Sequence, residues 1–307
     1  MPIGRISTFS IFTTTMRDVS RTQESLFNVQ AQISSGLKSE TFKGLNGEVE
    51  QFVQLESKIS KSRMYEQNNS VNISRAETTN VALDQIIKIA QDMNNLMVLR
   101  RNPALEDDIA FDVQIRSQIR SLARELNTTF DGRYIFGGTR TNINPVVVDP
   151  DVPAPVTVGE LDANYYQGAA EDSQARVDEN TLISIDVRAD HVGFQRLFGA
   201  AALALAAHAE PDANESDDML VKAIDMIQEG IKDVTAVQAE TNTNVLLMRN
   251  VNDRHKQLQL YWQGVTESVS KTDVLAASSK LAMDQAVLQA SFQAFSTVNR
   301  LRLVDFL

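Results

Sequence analysis

The chain has 307 residues, 43% of them hydrophobic and 6% aromatic, with 29 basic against 40 acidic side chains and a net charge of -11. That length can bury a sizeable core, while the absence of cysteine excludes disulfides and thiolate metal sites. An acidic chain whose longest basic run is Arg100-Arg101 lacks the stripe needed to displace phosphate counterions, so nucleic acid is excluded as a nonspecific partner.

The elements follow in chain order. Ser7 to Ser35 carries a helical pattern, and Gly36 supplies its C-terminal stop. Lys43-Gly44-Leu45-Asn46-Gly47 reads as a loop. A long helix is expected from Glu48 to about Arg101, with Ile73, Ala76, Leu83, Ile87, Ala90 and Met97 on one face and Pro103 closing it. Asn68, Asn69 and Asn72 interrupt that face. Leu105 to Phe130 returns to helix through Ile115, Ile119, Leu122 and Leu126, ending at Asp131-Gly132.

At about Thr139 the character changes. Pro145, Pro150, Pro153 and Pro155 fall in the next stretch, with Val146-Val147-Val148 and the alternating Ile183, Ile185 and Val187. Ten acidic residues stand against Arg176 and Arg188 between Thr141 and Asp190, which suits an outward-facing, β-rich insert. Helix resumes from Phe194 to His208, breaks at Glu210-Pro211-Asp212 and runs from Asp217 past Trp262; Val265 to Leu307 holds neither glycine nor proline. The apolar run Gly199 to Ala207 falls short of the ~20 residues that span a bilayer, so membrane insertion is not expected. Met1 to Thr15 lacks the apolar core of a cleaved secretory signal.

The residues offer little chemistry. His191, His208 and His255 are widely separated, with no metal-binding spacing among them. Gly137-Gly138 lacks the context of a phosphate loop and reads as a tight turn. Ser268-Val269-Ser270-Lys271 matches a serine-lysine tetrad without its companion motifs, so a solvated helix face is the better reading. Asp107-Asp108 and Asp217-Asp218 sit at helix starts, where acids offset the macrodipole. No catalytic residue, metal or cofactor is expected.

What the two ends offer is a matched pair of stripes. Phe12, Val19, Leu26 and Ile33 lie seven residues apart, and so do Val274, Leu281, Leu288 and Phe295, the repeat that keeps apolar knobs on one side of an under-wound helix. Residues 1–38 and 268–307 together carry a net +3 and the remainder -14. The companion seam positions Met16, Gln23, Gln30 and Leu37 are partly polar, so such a pair is marginal alone and completed by neighbours. These eight stripe residues form the expected assembly interface. The fold class is mainly α: an elongated helical bundle with paired N- and C-terminal coiled-coil helices and a small β-rich inserted domain. The expected domains are 1–38 with 268–307 (terminal coiled coil), 39–140 with 195–267 (helical bundle) and 141–194 (insert).

Four segments carry a family resemblance: Arg5-Ile6-Ser7-Thr8, Val29 to Gly36 (VQAQISSG), Gly132 to Thr139 (GRYIFGGT), and the ending Leu303-Val304-Asp305-Phe306-Leu307. Together they resemble the bacterial flagellin superfamily, and the ending and the GRYIFGGT turn are similar to its hook-filament junction branch. Glu40 to Asn46 departs from the segment common there. The resemblance implies termini paired as a coiled coil around an axial channel, and an insert projecting outward. It implies an extracellular place in the flagellum, reached by type III export without a cleaved signal peptide. The implied partners are hook-associated protein 1, flagellin, copies of the chain itself in a ring or helical layer, and an export chaperone. A filament flagellin is the neighbouring reading, and an enzyme on a helical scaffold the reading from another class.

Overall fold

The computed structural model describes residues 8–39, 41, 47–102, 110–148 and 161–304, with side chains over 13–297 of these. Several expected features lie outside them: Arg5 to Ser7, the Phe12 side chain, Lys43 to Asn46, Pro103, Leu105, Asp107-Asp108, Pro150, Pro153, Pro155 and Asp305 to Leu307.

The fold is mainly α. Among the described residues, six helices, α1 (Thr8–Ser35), α2 (Val49–Arg100), α3 (Phe111–Leu126), α4 (Val192–Ala209), α5 (Ala213–Ser270) and α6 (Val274–Val304), accompany two small antiparallel hairpins, β1 (Thr129–Phe130) with β2 (Arg133–Tyr134) and β3 (Gln174–Asp178) with β4 (Thr181–Ser184). The chain divides into two compact units, residues 1–61 with 258–307 and residues 62–257. The boundaries fall inside α2 and α5, where the heptad stripes of the termini give no sign of them. The described residues 141–148 and 161–194 fall within the second of these units.

Within residues 62–257, α2 presents Ser62, Asn69, Ala76, Leu83, Ala90 and Met97, all buried and seven apart. Leu220, Ile227, Val234, Thr241, Met248 and His255 do the same on α5. The helices run antiparallel, since Asp84 meets Gln238, Asn80 meets Asn242 and Glu77 meets Arg249. A strict seven-residue repeat on both helices keeps the seams together over many turns. Asn69 belongs to this seam, and its Nδ2 donates to Val177 O and Asn252 Oδ1, both at 2.9 Å.

The main core lies between α2, α3, α4 and α5, with Phe136, Tyr165, Phe194 and Phe198 among its largest members. α4 is long and apolar enough to cross a membrane by length and composition; two thirds of it is buried inside the protein, so its apolarity serves the core. His191 caps it, Nδ1 accepting from Gly193 N at 3.2 Å. Gly193 and Gly230 bring α4 and α5 close: a Cβ on Gly230 would sit 2.8 Å from Leu197 Cδ2.

α3 stops at Leu126, short of the expected Phe130. Thr129 and Phe130 pair with Tyr134 and Arg133, because Asp131 (φ 51°) and Gly132 (φ 71°) both take the left-handed conformation that closes a two-residue hairpin. The following Gly137-Gly138 is a tight turn that holds its neighbours closely. A Cβ on Gly137 would lie 2.4 Å from Arg140 O, and Gly138 (φ 62°) would clash with Glu171 O at 2.7 Å.

The described part of the insert is sewn onto the helices as well as exposed. Val146, Tyr165 and Ala189 enter the main core, and Ala175 and Val177 of β3 pack with Ala76, Val245 and Met248. Asn244 Nδ2 donates to Ser184 O at 3.2 Å, and Arg75 pairs with the buried Asp186. The alternation read over Leu182 to Val187 gives strand only to Ser184. α5 starts at Ala213 with Asp212 Oδ1 accepting from Asn214 N and Glu215 N. The helix expected to run past Trp262 stops at Ser270, and α6 starts afresh at Val274. Two features meet at the break: Lys271 bridges to Leu37, and Asp273 Oδ1 caps α6 by accepting from Leu275 N at 2.9 Å and Ala276 N at 3.1 Å.

Candidate assembly surface on the terminal helices

α1 and α6 pack against each other along their length within the unit formed by the two chain ends. Their register is fixed at one end by the turn after α1. Gly36 (φ 72°) donates its N–H to Gln32 O at 2.9 Å, a C-terminal stop that leaves its own carbonyl free to accept from Thr272 N at 3.0 Å. Lys38 N then donates to Ser270 O at 2.7 Å. Ten residues past the start of α6, Ser25 Oγ donates to Asp284 Oδ2 at 2.7 Å. The helices are therefore antiparallel, and this register sets Ile33, Leu26 and Val19 within two residues of the level of Val274, Leu281 and Leu288.

Burial along the pair is thin. Val19, Leu26 and Ile33 are half-buried, as are Leu281, Leu288 and Phe295, while Val274, on the first turn of α6, is 51% exposed. Among the described residues of α1 and α6, only Val29 (2% exposed) and Ala277 (6%) are fully buried. The companion seam of α1 runs through Thr15, Thr22 and Val29; Met16, Gln23, Gln30 and Leu37, one position on, face out. Alternating steps of three and four leave two choices for the second seam position, and the side on which α6 lies selects between them. On α6 the companions are Ala277, Asp284 and Ser291. Val29 and Ala277 were legible only as members of a 3-4 repeat, which the seven-residue stripe alone does not reveal.

The outer surface of the pair is apolar in an unusual measure. Phe27 (70%), Leu275 (79%), Met283 (67%) and Phe292 (52%) are exposed, with Met16 and Val287. Gln285, Leu288, Gln289, Phe292, Gln293 and Ser296 line a shallow groove along α6. Large exposed apolar side chains of this kind mark surfaces made to be covered.

The chemical groups elsewhere are tied into structure. Ser268 Oγ donates to Val265 O at 2.7 Å, and Lys271 pairs with Glu267, so the serine-lysine tetrad is not poised for nucleophilic attack. Asp217 holds Arg101 and keeps its carboxyl below the usual range through that hydrogen bond. His208 stands against Phe111, ring centroids 5.6 Å apart. Sequence spacing missed one constellation: Ser62 Oγ is 3.1 Å from His255 Nδ1, and His255 Nε2 is 3.8 Å from Asp178 Oδ1. Ser62 is 3% exposed and out of reach of a substrate, and the nitrogens are used in the opposite sense to a hydrolase triad, in which serine meets Nε2 and aspartate Nδ1. A cleft of about 260 Å³ lies between residues 184–191 and α5, with Asp186 at its wall. Burial raises the Asp186 carboxyl, opposed by hydrogen bonds from Ser173 and by Arg75.

Comparison with known proteins locates these helices. The model of the bacterial flagellin N-terminal helical region matches residues 6–141. The flagellar hook-associated protein 3 of Escherichia coli strain K12 is 24% identical over 97% of this chain and 98% of its own length. Among solved structures, a flagellar hook-associated protein of Vibrio parahaemolyticus is similar with a TM-score of 0.61 at 15% identity, covering 72% of this chain and 96% of that one. FlgL of Bacillus cereus is similar with a TM-score of 0.50 at 13% identity, covering 66% and 98%. The structural likenesses speak for the fold.

Proposed function

We infer that this chain, which belongs to the bacterial flagellin superfamily, is a structural subunit of the bacterial flagellum that forms the junction between hook and filament. The observation that carries the mechanism is the thin antiparallel seam of α1 and α6 with its exposed apolar exterior. One copy cannot cover Phe27, Leu275, Met283 and Phe292 with its own residues; a ring or helical layer of copies can. The stripe Phe12, Val19, Leu26 and Ile33 against Val274, Leu281, Leu288 and Phe295 holds the two helices together, and the exterior joins copy to copy. No bond is made or broken in this role.

The chain's neighbours in this reading are hook-associated protein 1 on one side and flagellin on the other, with an export chaperone covering the terminal helices beforehand. Export proceeds with the chain unfolded. A seam held by so few buried residues costs little to open, which suits a chain that must travel extended and then order on assembly.

The test is deletion of the gene in its source bacterium, followed by examination of cells and medium. Hooks without filaments and flagellin released to the medium are the expected result. Normal hooks carrying retained filaments would overturn the junction role in favour of a minor flagellin. Truncation of either terminal helix is expected to abolish incorporation.

A further inference from the structure

Within residues 62–257 the seam between α2 and α5 holds a polar stretch where Ser62 and Asn69 face Asn252 and His255. His255 is 4% exposed, and its ring stacks on Tyr65 with centroids 5.6 Å and planes 15° apart. Its Nδ1 is satisfied by Ser62. Its Nε2 is buried with no hydrogen-bond partner and faces Asp178 Oδ1 across 3.8 Å. A buried ring nitrogen in that condition is costly, and it calls for an account.

Asp178 is the last residue of β3, beside the turn of the β3–β4 hairpin, and its Oδ1 accepts from Glu179 N at 2.7 Å. Asn69 on Val177 O, Asn244 on Ser184 O and Arg75 on Asp186 hold the rest of the hairpin and its exit. Asp178 is therefore the tether nearest the tip, and two α5 residues reach it: Arg254, already paired, and His255. The other charges around the imidazole are Glu66 of α2 with Lys256 and Asp253 of α5, which pair among themselves.

Either neutral tautomer leaves something unmet. With the proton on Nδ1, an Nε2 lone pair faces a carboxylate; with it on Nε2, the donor is too far from Asp178 for a hydrogen bond. The imidazolium meets every requirement once its charge draws Asp178 in from 3.8 Å. Nδ1–H donates to Ser62 Oγ while the Ser62 hydroxyl donates to His255 O, 3.3 Å away, and Nε2–H closes on Asp178 as a charge-assisted bond. We propose that His255 is a proton-operated latch that ties the β3–β4 hairpin to the α2/α5 seam, engaged when protonated and slack when neutral. The β3–β4 hairpin then stiffens or loosens with the acidity of the medium.

The test uses the full chain, with ring signals of His255 followed by NMR and hydrogen exchange followed at the amides of residues 174–184, each corrected for intrinsic rate. Between pH 8 and pH 5.5, the range in which imidazoles change charge, protection of the hairpin is expected to rise on the order of fivefold, in step with the His255 signal. His255→Gln keeps a side chain for Ser62 but cannot titrate, and it is expected to remove the rise. Asp178→Asn removes the carboxylate on which the imidazolium closes and is expected to remove the rise as well. The proposal is overturned if protection in the wild type does not follow His255, or if it rises equally in His255→Gln. A rise that persists in Asp178→Asn, whose parent side chain is 26% exposed and tolerant of change, overturns it independently.

Discussion

Phe27 and Val29 lie two residues apart on α1 and separate the two tasks assigned to it. Phe27 is 70% exposed, Val29 2%. Replacing Phe27 by serine removes nothing that the isolated chain buries, so unfolding is expected to change by no more than about 0.5 kcal/mol. In the assembly the same ring has most of its area left to cover. Full burial of a phenylalanine contributes up to about 3 kcal/mol; scaled by the exposed fraction this is about 2 kcal/mol per contact, roughly a thirtyfold weaker junction per copy. Val29→Ala reverses the pattern: loss of two methyl groups, with a partly collapsed cavity, costs the α1/α6 pair about 2 kcal/mol and leaves the exterior intact. Hydrogen exchange at α1 and α6 amides reads the first quantity, and rescue of filament growth in a deletion strain, with the variant at native level, reads the second. If Phe27→Ser supports filaments as well as the wild type, or loosens α1 as Val29→Ala does, the division between inner seam and outer surface is refuted.

Three further outcomes are expected. Gly137→Ala puts a Cβ against Arg140 O at 2.4 Å, contact with backbone that cannot swing aside, and is expected to cost more than about 2 kcal/mol in denaturant unfolding; a neutral result would show that the turn has another conformation. Asn69→Leu strips Val177 O and Asn252 Oδ1 of their common donor in the buried seam, and a loss of about 2 kcal/mol is expected, read as a lower urea midpoint. On alkaline titration, two of the five tyrosines are expected to ionise late. Burial pushes Tyr166 up to about 12, with Asp190 adding and Arg188 opposing, and burial raises Tyr165 further still. Because the folded chain keeps protons that the unfolded chain releases near pH 10, these groups do not affect stability below that pH and reduce it as the pH rises beyond. Phenolate absorbance that rises in a single step would contradict this.

Local rules accounted for the pieces where one residue type decides a geometry. Gly36 ends α1 because only a left-handed residue lets the chain turn there. Gly137-Gly138 is a turn, as its composition indicates, and α2, α4 and α5 follow their periodic stretches. The break at 271–273 was not read from the sequence, since Thr272 and Asp273 are weak helix formers but neither is a glycine or proline. It arises from Leu37 reaching across to Lys271, a contact between residues more than two hundred positions apart. The switch from helix to strand at Thr129 was likewise decided by the hairpin turn beside it.

The sequence by itself determined that the chain is mainly helical, that its two ends carry matching apolar repeats, and that the segments resembling flagellins lie on those helices and the turn near Gly137. Periodicity and glycine chemistry are properties of neighbours along the chain, so they can be read there. Tertiary structure decided which side of α1 faces α6, hence that Val29 is inside and Phe27 outside. It made Asn69 a seam residue, drew residues 161–191 onto the helices, and placed His255 opposite Asp178. Each depends on what lies across a seam, and the physical reason is the same in every case: burial and hydrogen bonding are settled by partners distant in sequence, whose arrival no local pattern records.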